Sequence, residues 1–168
     1  MHESPEQIDE LQALLDRTFA RMNPHMARIV KPERRLSARQ VVTYLQGIRH
    51  VAFATVTERG EPRVAPLDGL FVRGRFHVST GGESTRLSHL RRQPRCSLTH
   101  FAGDDVAVTV NGGGRARARP PGGPGARAGV CGSLPFDWGE HVVVIRVEPT
   151  SMWSYAFRAE QFPEQPPA

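Results

Sequence analysis

Residues 79–86 read Ser-Thr-Gly-Gly-Glu-Ser-Thr-Arg, and five of these eight side chains can donate a hydrogen bond to an anion. A short helix starting here adds unpaired backbone N–H groups and the positive end of its dipole. Arg86 contributes a permanently charged planar guanidinium, which meets a phosphate with two parallel bonds. The chemistry this spacing predicts is phosphate binding by Ser79, Thr80, Ser84, Thr85 and Arg86. The competing explanation is helix capping by Ser84, with Arg86 on a solvated face. Glu83 opposes a dianion unless it turns away.

Other chemistry is hard to find. The chain contains no GxSxG, GK[ST], GxGxxG or HExxH pattern. Seven histidines show no metal-ligand spacing, and Cys96 and Cys131 form no CxxC pair. Cys96, Leu98 and His100 would share one face of a strand, but two ligands do not make a zinc site. A buried Cys96 beside an edge histidine is the expected arrangement.

The elements that must position residues 79–86 follow from periodicity. Ser4 and Pro5 open a helix over 5–22, with Asn23-Pro24 at its end and a connector over 25–36. Ser37 and Gln40 form a capping box for a second helix, which Gly47 is placed to terminate. Residues 50–57, 62–72 and 76–80 read as strands joined by tight turns, the second broken or bulged near Pro66 or Gly69. Leu87 and Leu90 mark a short helix stopped by Pro94. Residues 95–101 and 105–111 form a hairpin, 141–149 is a strand, and 151–157 is a candidate further strand. The expected fold is mainly β with peripheral helices: about six antiparallel strands in a closed or nearly closed β-barrel, with an N-terminal helix added. Residues 1–36 are the N-terminal helix and connector, 37–158 the barrel domain, and 159–168 a disordered tail.

Charge is the feature that points elsewhere. The 168 residues carry a formal +5 with a pI near 10.2, a balance that suggests nucleic acid. Residues 112–132 hold four Arg and no acid, whereas the rest of the chain has 18 basic and 17 acidic residues. The basicity therefore belongs to one Gly/Arg/Pro-rich segment, expected to be a loop that buries too little to order itself. With 21 Arg to one Lys the coding sequence reads as GC-rich, so this segment suggests an out-of-frame stretch or a decayed helix. The rival, an RGG-like arm, lacks interleaved aromatics, and no nucleic-acid partner is expected. No apolar run reaches the roughly 18 residues of a membrane span, and the acidic N-terminus is unlike a signal peptide. A cytoplasmic protein is the expectation.

The motif T-x5-R-x7-PR-x-SL (Thr80, Arg86, Pro94-Arg95, Ser97-Leu98) follows a G-x-P-x-V strand (Gly60, Pro62, Val64). In this order of elements the chain resembles the pyridoxamine 5′-phosphate oxidase-like family of FMN-binding split barrels. The resemblance covers residues 37–111 well and 134–157 loosely. It implies a homodimer, with Val64, Ala65, Pro66 and Leu67 along the flavin ring and Thr80, Ser84 and Arg86 on the ribityl phosphate. Thr85 stands where the oxidases proper are basic, which weakens the grip. Trp153 or Trp138 is implied near the ring or, alternatively, as a core anchor. The lack of an Arg-x-Trp-x-Arg motif argues against pyridoxamine phosphate as substrate.

A flavoenzyme needs no catalytic triad, because the cofactor accepts the hydride and the protein supplies placement and electrostatics. The function implied is a flavin-dependent oxidoreductase acting on an unidentified small molecule, with no catalytic side chain assigned and no metal. F420 is the alternative cofactor. A non-catalytic flavin or haem carrier is the other alternative, with His77, His89 or His100 as haem ligands.

Overall fold

In the computed structural model, which describes residues 3–117 and 142–165, the β-branched runs form six antiparallel strands. They are β1 (Ile48–Val56), β2 (Pro62–Val72), β3 (Arg75–Gly81), β4 (Arg95–Ala102), β5 (Val106–Arg117) and β6 (Val142–Ala156). Their order, β1-β2-β3-β6-β5-β4 with β4 back on β1, closes a barrel. The interior is apolar because alternate residues point inwards. Val51 and Phe53 meet Leu98, Val108 and Val110 from β4 and β5, with Phe76, Val78, Ile145 and Val147 from β3 and β6.

Among the described residues four helices accompany this barrel: α1 (Pro5–Ala20), α2 (Pro24–Ile29), α3 (Ala38–Tyr44) and α4 (Thr85–Arg92). The first and third start where the sequence placed them. Ser4 with Gln7 and Ser37 with Gln40 both form complete capping boxes. Ile8, Leu11, Leu14 and Leu15 bury the apolar face of α1 in the shared core, so this helix is part of the barrel's packing. Thr18 on α1 accepts from the backbone N–H of Met152 at 3.1 Å, fixing the helix to β6. Asn23, expected only to end α1, caps α2 through Met26 N–H. No described helix is long and apolar enough to cross a membrane.

Four expectations change. Strand β2 is unbroken: its register on β1 runs without a shift from Leu70 to Pro62. Residues 141–149 and 151–157 are not two strands. They are one strand, β6, whose pairing with β5 slips at Asn111/Gly112. That bulge accommodates the irregularity that separates the two apolar runs in the sequence.

The loop expected from residue 112 begins later, because β5 continues through Arg117. Glycine is required there rather than merely tolerated. A Cβ on Gly112 would sit 2.0 Å from the Glu148 carbonyl oxygen, and one on Gly114 2.9 Å from Leu90 Cδ2. These residues fit the strand closely; 118–132 lie outside the described residues. Finally, 159–165 are not a disordered tail. Gln40 Nε2 donates to the Ala159 and Phe162 carbonyls, and the Phe162 ring packs edge-on against Tyr44. Residues 166–168 are also outside the described set.

Candidate functional site

The hairpin β2–β3 pairs only from Val72↔Arg75 to Gly69↔Val78. Carried two residues further, that register would set Leu67 against Thr80. Instead the strands part. Leu67 stays on β1 opposite Val51, and Thr80 stays on β6 opposite Val143. Both halves of the sequence-predicted site therefore border one fork in the sheet. Pro66 suits this split because it has no N–H to offer a second neighbour.

On one arm, Val64 and Pro66 are exposed and Ala65 and Leu67 half-buried, with Val64 70% accessible. An exposed valine on a strand with one free edge is an apolar surface left for something else. On the other arm, Thr80 is buried and Arg86 half-buried, and the Arg86 guanidinium donates to the Thr80 hydroxyl. Leu87 and Leu90 hold α4 in place by burying into the barrel end.

Ser84 occupies the N-cap position, but its side chain makes no capping bond, contrary to the simple capping explanation. Among the described residues its hydroxyl has no partner, and it sits beside the first-turn amides of Thr85 and Arg86, which have no intrahelical acceptor. Thr85 and Glu83 are exposed. The Arg86–Thr80 bond thus lies at the strand–helix junction, with Ser84 at the N-cap of α4 and Thr85 exposed on its first turn. A phosphate monoester fits this donor set: hydroxyls, helix amides and one guanidinium, with no carboxylate among the described residues bonded to any of them.

The three candidate haem histidines have different environments. His100 is committed at both nitrogens, Nε2 to the Tyr44 hydroxyl at 2.9 Å and Nδ1 to the His50 carbonyl at 2.9 Å. Burial holds it below the ordinary histidine range. His77 is buried with neither nitrogen bonded, and burial, helped by the Arg146 and Arg75 charges, lowers its pKa to about 4. His89 is half-buried, and its Nδ1 lies 3.0 Å from the Thr55 hydroxyl. Burial pushes the Cys96 thiol up to about 12, so it behaves as a packed apolar group.

Sequence reasoning missed the Thr55–His89 contact because it joins residues 34 apart on a strand and a helix, and no motif spacing records it. It also missed the Ser37 and Thr43 bonds to Glu164. Trp153 is half-buried and lines a cleft with Arg17, Met22 and Asn111, which none of Val64–Leu67 or Arg86 lines. Trp138 lies outside the described residues.

No protein-family model matches the chain, and no curated protein matches it. Solved structures do. A conserved hypothetical protein of Mycobacterium tuberculosis superposes with a TM-score of 0.63 at 18% identity, over 82% of this chain and 96% of that one. General Stress Protein 26 of Bacillus anthracis gives 0.53 at 15%, over 69% and 91%. An FAD-binding protein of Mesorhizobium loti gives 0.51 at 17%, over 72% and 95%. At these identities the likeness concerns the fold alone: this chain has a closed six-stranded antiparallel barrel like those of the solved structures it matches.

Proposed function

We propose that the protein is a flavin-dependent oxidoreductase that binds FMN at the β2–β3 fork. Thr80, Ser84 and Arg86 hold the phosphate, with Thr85 at the rim. Val64, Ala65, Pro66 and Leu67 offer the isoalloxazine an apolar strand. The observation that carries this reading is the Arg86–Thr80 bond beside an uncommitted Ser84 hydroxyl, at the point where the strands part. The likeness in fold to an FAD-binding protein supports it. Bound FMN would supply a two-electron acceptor and donor. The chain's own residues neutralise the phosphate charge and exclude water from one ring face.

A homodimer belongs to the same reading, since the outer edge of Pro62–Asp68 has no strand partner among the described residues and exposes Val64. The test is direct. Protein incubated with FMN and gel-filtered should elute as a dimer with flavin absorbance and oxidise NAD(P)H faster than free FMN does. Elution free of flavin, with no rate above that of free FMN, refutes the reading. F420, run in parallel, identifies a deazaflavin protein if it alone is retained.

A further inference from the structure

Trp153 lines a cleft of about 320 Å³, where the end of α1 and the start of α2 meet the β5–β6 bulge. On β5 its partner is Thr109, and Thr99, Ala52 and Pro66 continue that row across β4, β1 and β2. Three strands thus stand between Trp153 and the apolar arm of the flavin reading, and no residue of that reading lines this cleft.

The polar part of the wall is satisfied from within. Asn111 accepts from the Ser97 hydroxyl at 2.8 Å and donates to the Ser151 hydroxyl at 3.2 Å. Its backbone carbonyl takes the Thr150 hydroxyl at 3.1 Å. The Asn23 side-chain oxygen is used on the Met26 N–H at 2.9 Å, and Thr18 bonds both the Leu14 carbonyl and the Met152 N–H. These bonds fix the shape of the wall before any ligand arrives.

What the wall leaves over is of one kind. Arg17 lies in the last turn of α1 and Arg21 at its C-cap, four residues on. Neither guanidinium has a partner among the described residues, nor has the Trp153 indole N–H. Guanidinium and indole groups donate and cannot accept. No carboxylate among the described residues lines the cleft. Two other clefts are balanced: Arg59 and Arg92 share one with Glu58 and Glu61, and Arg35 shares another with Asp16. An uncompensated set of cationic donors calls for an anion. The rest of the lining is apolar, since Met22, Met26 and Trp153, all half-buried, offer thioethers and an indole. Such groups adapt to a flat unsaturated ring.

We propose that this cleft binds a small aromatic carboxylate, with its ring against Met22, Met26 and Trp153 and its charge on Arg17 and Arg21. The site stands independently of the flavin reading.

The probe is 2-naphthoate, and 2-naphthamide, the same ring without the charge, is its control. Trp138 and Trp153 are the two tryptophans of the chain. Protein carrying 5-fluorotryptophan therefore gives two fluorine-19 signals, and Trp153→Phe identifies its own. Naphthoate should shift the Trp153 signal saturably, with a Kd about tenfold or more below that of naphthamide. Replacing both Arg17 and Arg21 by Gln should raise the naphthoate Kd to that of the amide and leave the amide's own Kd within about twofold. Arg86→Ala should alter neither Kd.

A Trp153 signal indifferent to naphthoate, or equal Kd values for the two probes in the wild-type protein, overturns the proposal. So does unchanged naphthoate binding in the double variant; a lowered melting temperature would then assign the arginines to the negative end of the α1 dipole. If the double variant does not fold, the comparison of the two probes in wild-type protein decides. Failure of the chain to bind FMN overturns the flavin reading and leaves these titrations standing.

Discussion

Arg86 donates a hydrogen bond to Thr80 across the junction between β3 and α4. The pair ties the first turn of a helix to the last inward-facing residue of a strand. It sets a charge where β3 has left β2 and the helix amides are unpaired. One guanidinium donor is used on Thr80, and the remaining donors are available to an anion.

Replacing Arg86 by Ala should weaken FMN by about 1.5–3 kcal/mol, the range of a charge-assisted hydrogen bond. That is roughly a 10- to 150-fold rise in Kd, read by quenching of flavin fluorescence. Riboflavin affinity should be unaffected, because riboflavin has no phosphate. An equal loss for both ligands would place Arg86 elsewhere.

Two serines at helix starts should behave oppositely. Ser37 makes a full capping box, so Ser37→Ala should cost about 1 kcal/mol of stability. Ser84 makes no capping bond, so Ser84→Ala should leave the melting temperature nearly unchanged while weakening FMN. Thermal melts of the two variants, with and without FMN, test the contrast. A destabilised Ser84→Ala with intact FMN binding would favour a capping role.

How much of this was legible in the residues themselves depended on range. The capping boxes, the hairpin turns and the donor cluster at 79–86 are local patterns, and the structure has them where spacing puts them. The order β3-β6-β5 is not local, and neither is the fork at which Leu67 and Thr80 part. The hardest stretch was 112–117, where glycine content mimics a loop. Pairing uses backbone groups alone, and only the approach of Glu148 and Leu90 shows why side chains are missing there.

That approach makes its own prediction. Gly112→Ala drives a Cβ to within 2.0 Å of a backbone oxygen, which cannot yield without moving β6. Gly114→Ala meets Leu90 Cδ2 at 2.9 Å, the end of a side chain that can change rotamer. Gly112→Ala should therefore lower the denaturation midpoint clearly more than Gly114→Ala, whose cost should stay within about 1–3 kcal/mol. Urea titrations rank them, and the reverse order would refute the bulge.

Stability should also depend on mild acid. His77 titrates at about 4 in the folded state, and His100 is lowered as well, against an unfolded value near 6.5. The unfolded chain then binds more protons than the folded one below 6.5. Stability is full above that pH and is lost progressively as pH falls towards about 4. Urea midpoints at pH 7 and pH 5 should differ in wild type, and His77→Gln should reduce the difference. An undiminished difference in that variant would remove His77 as a source.

The phosphate cradle is the claim on which the rest depends, and paired fluorescence titrations of the wild-type protein with FMN and with riboflavin address it directly. FMN should bind at least tenfold more tightly, by at least the lower end of a charge-assisted bond's contribution. Equal affinities, or no binding of either flavin, would contradict it.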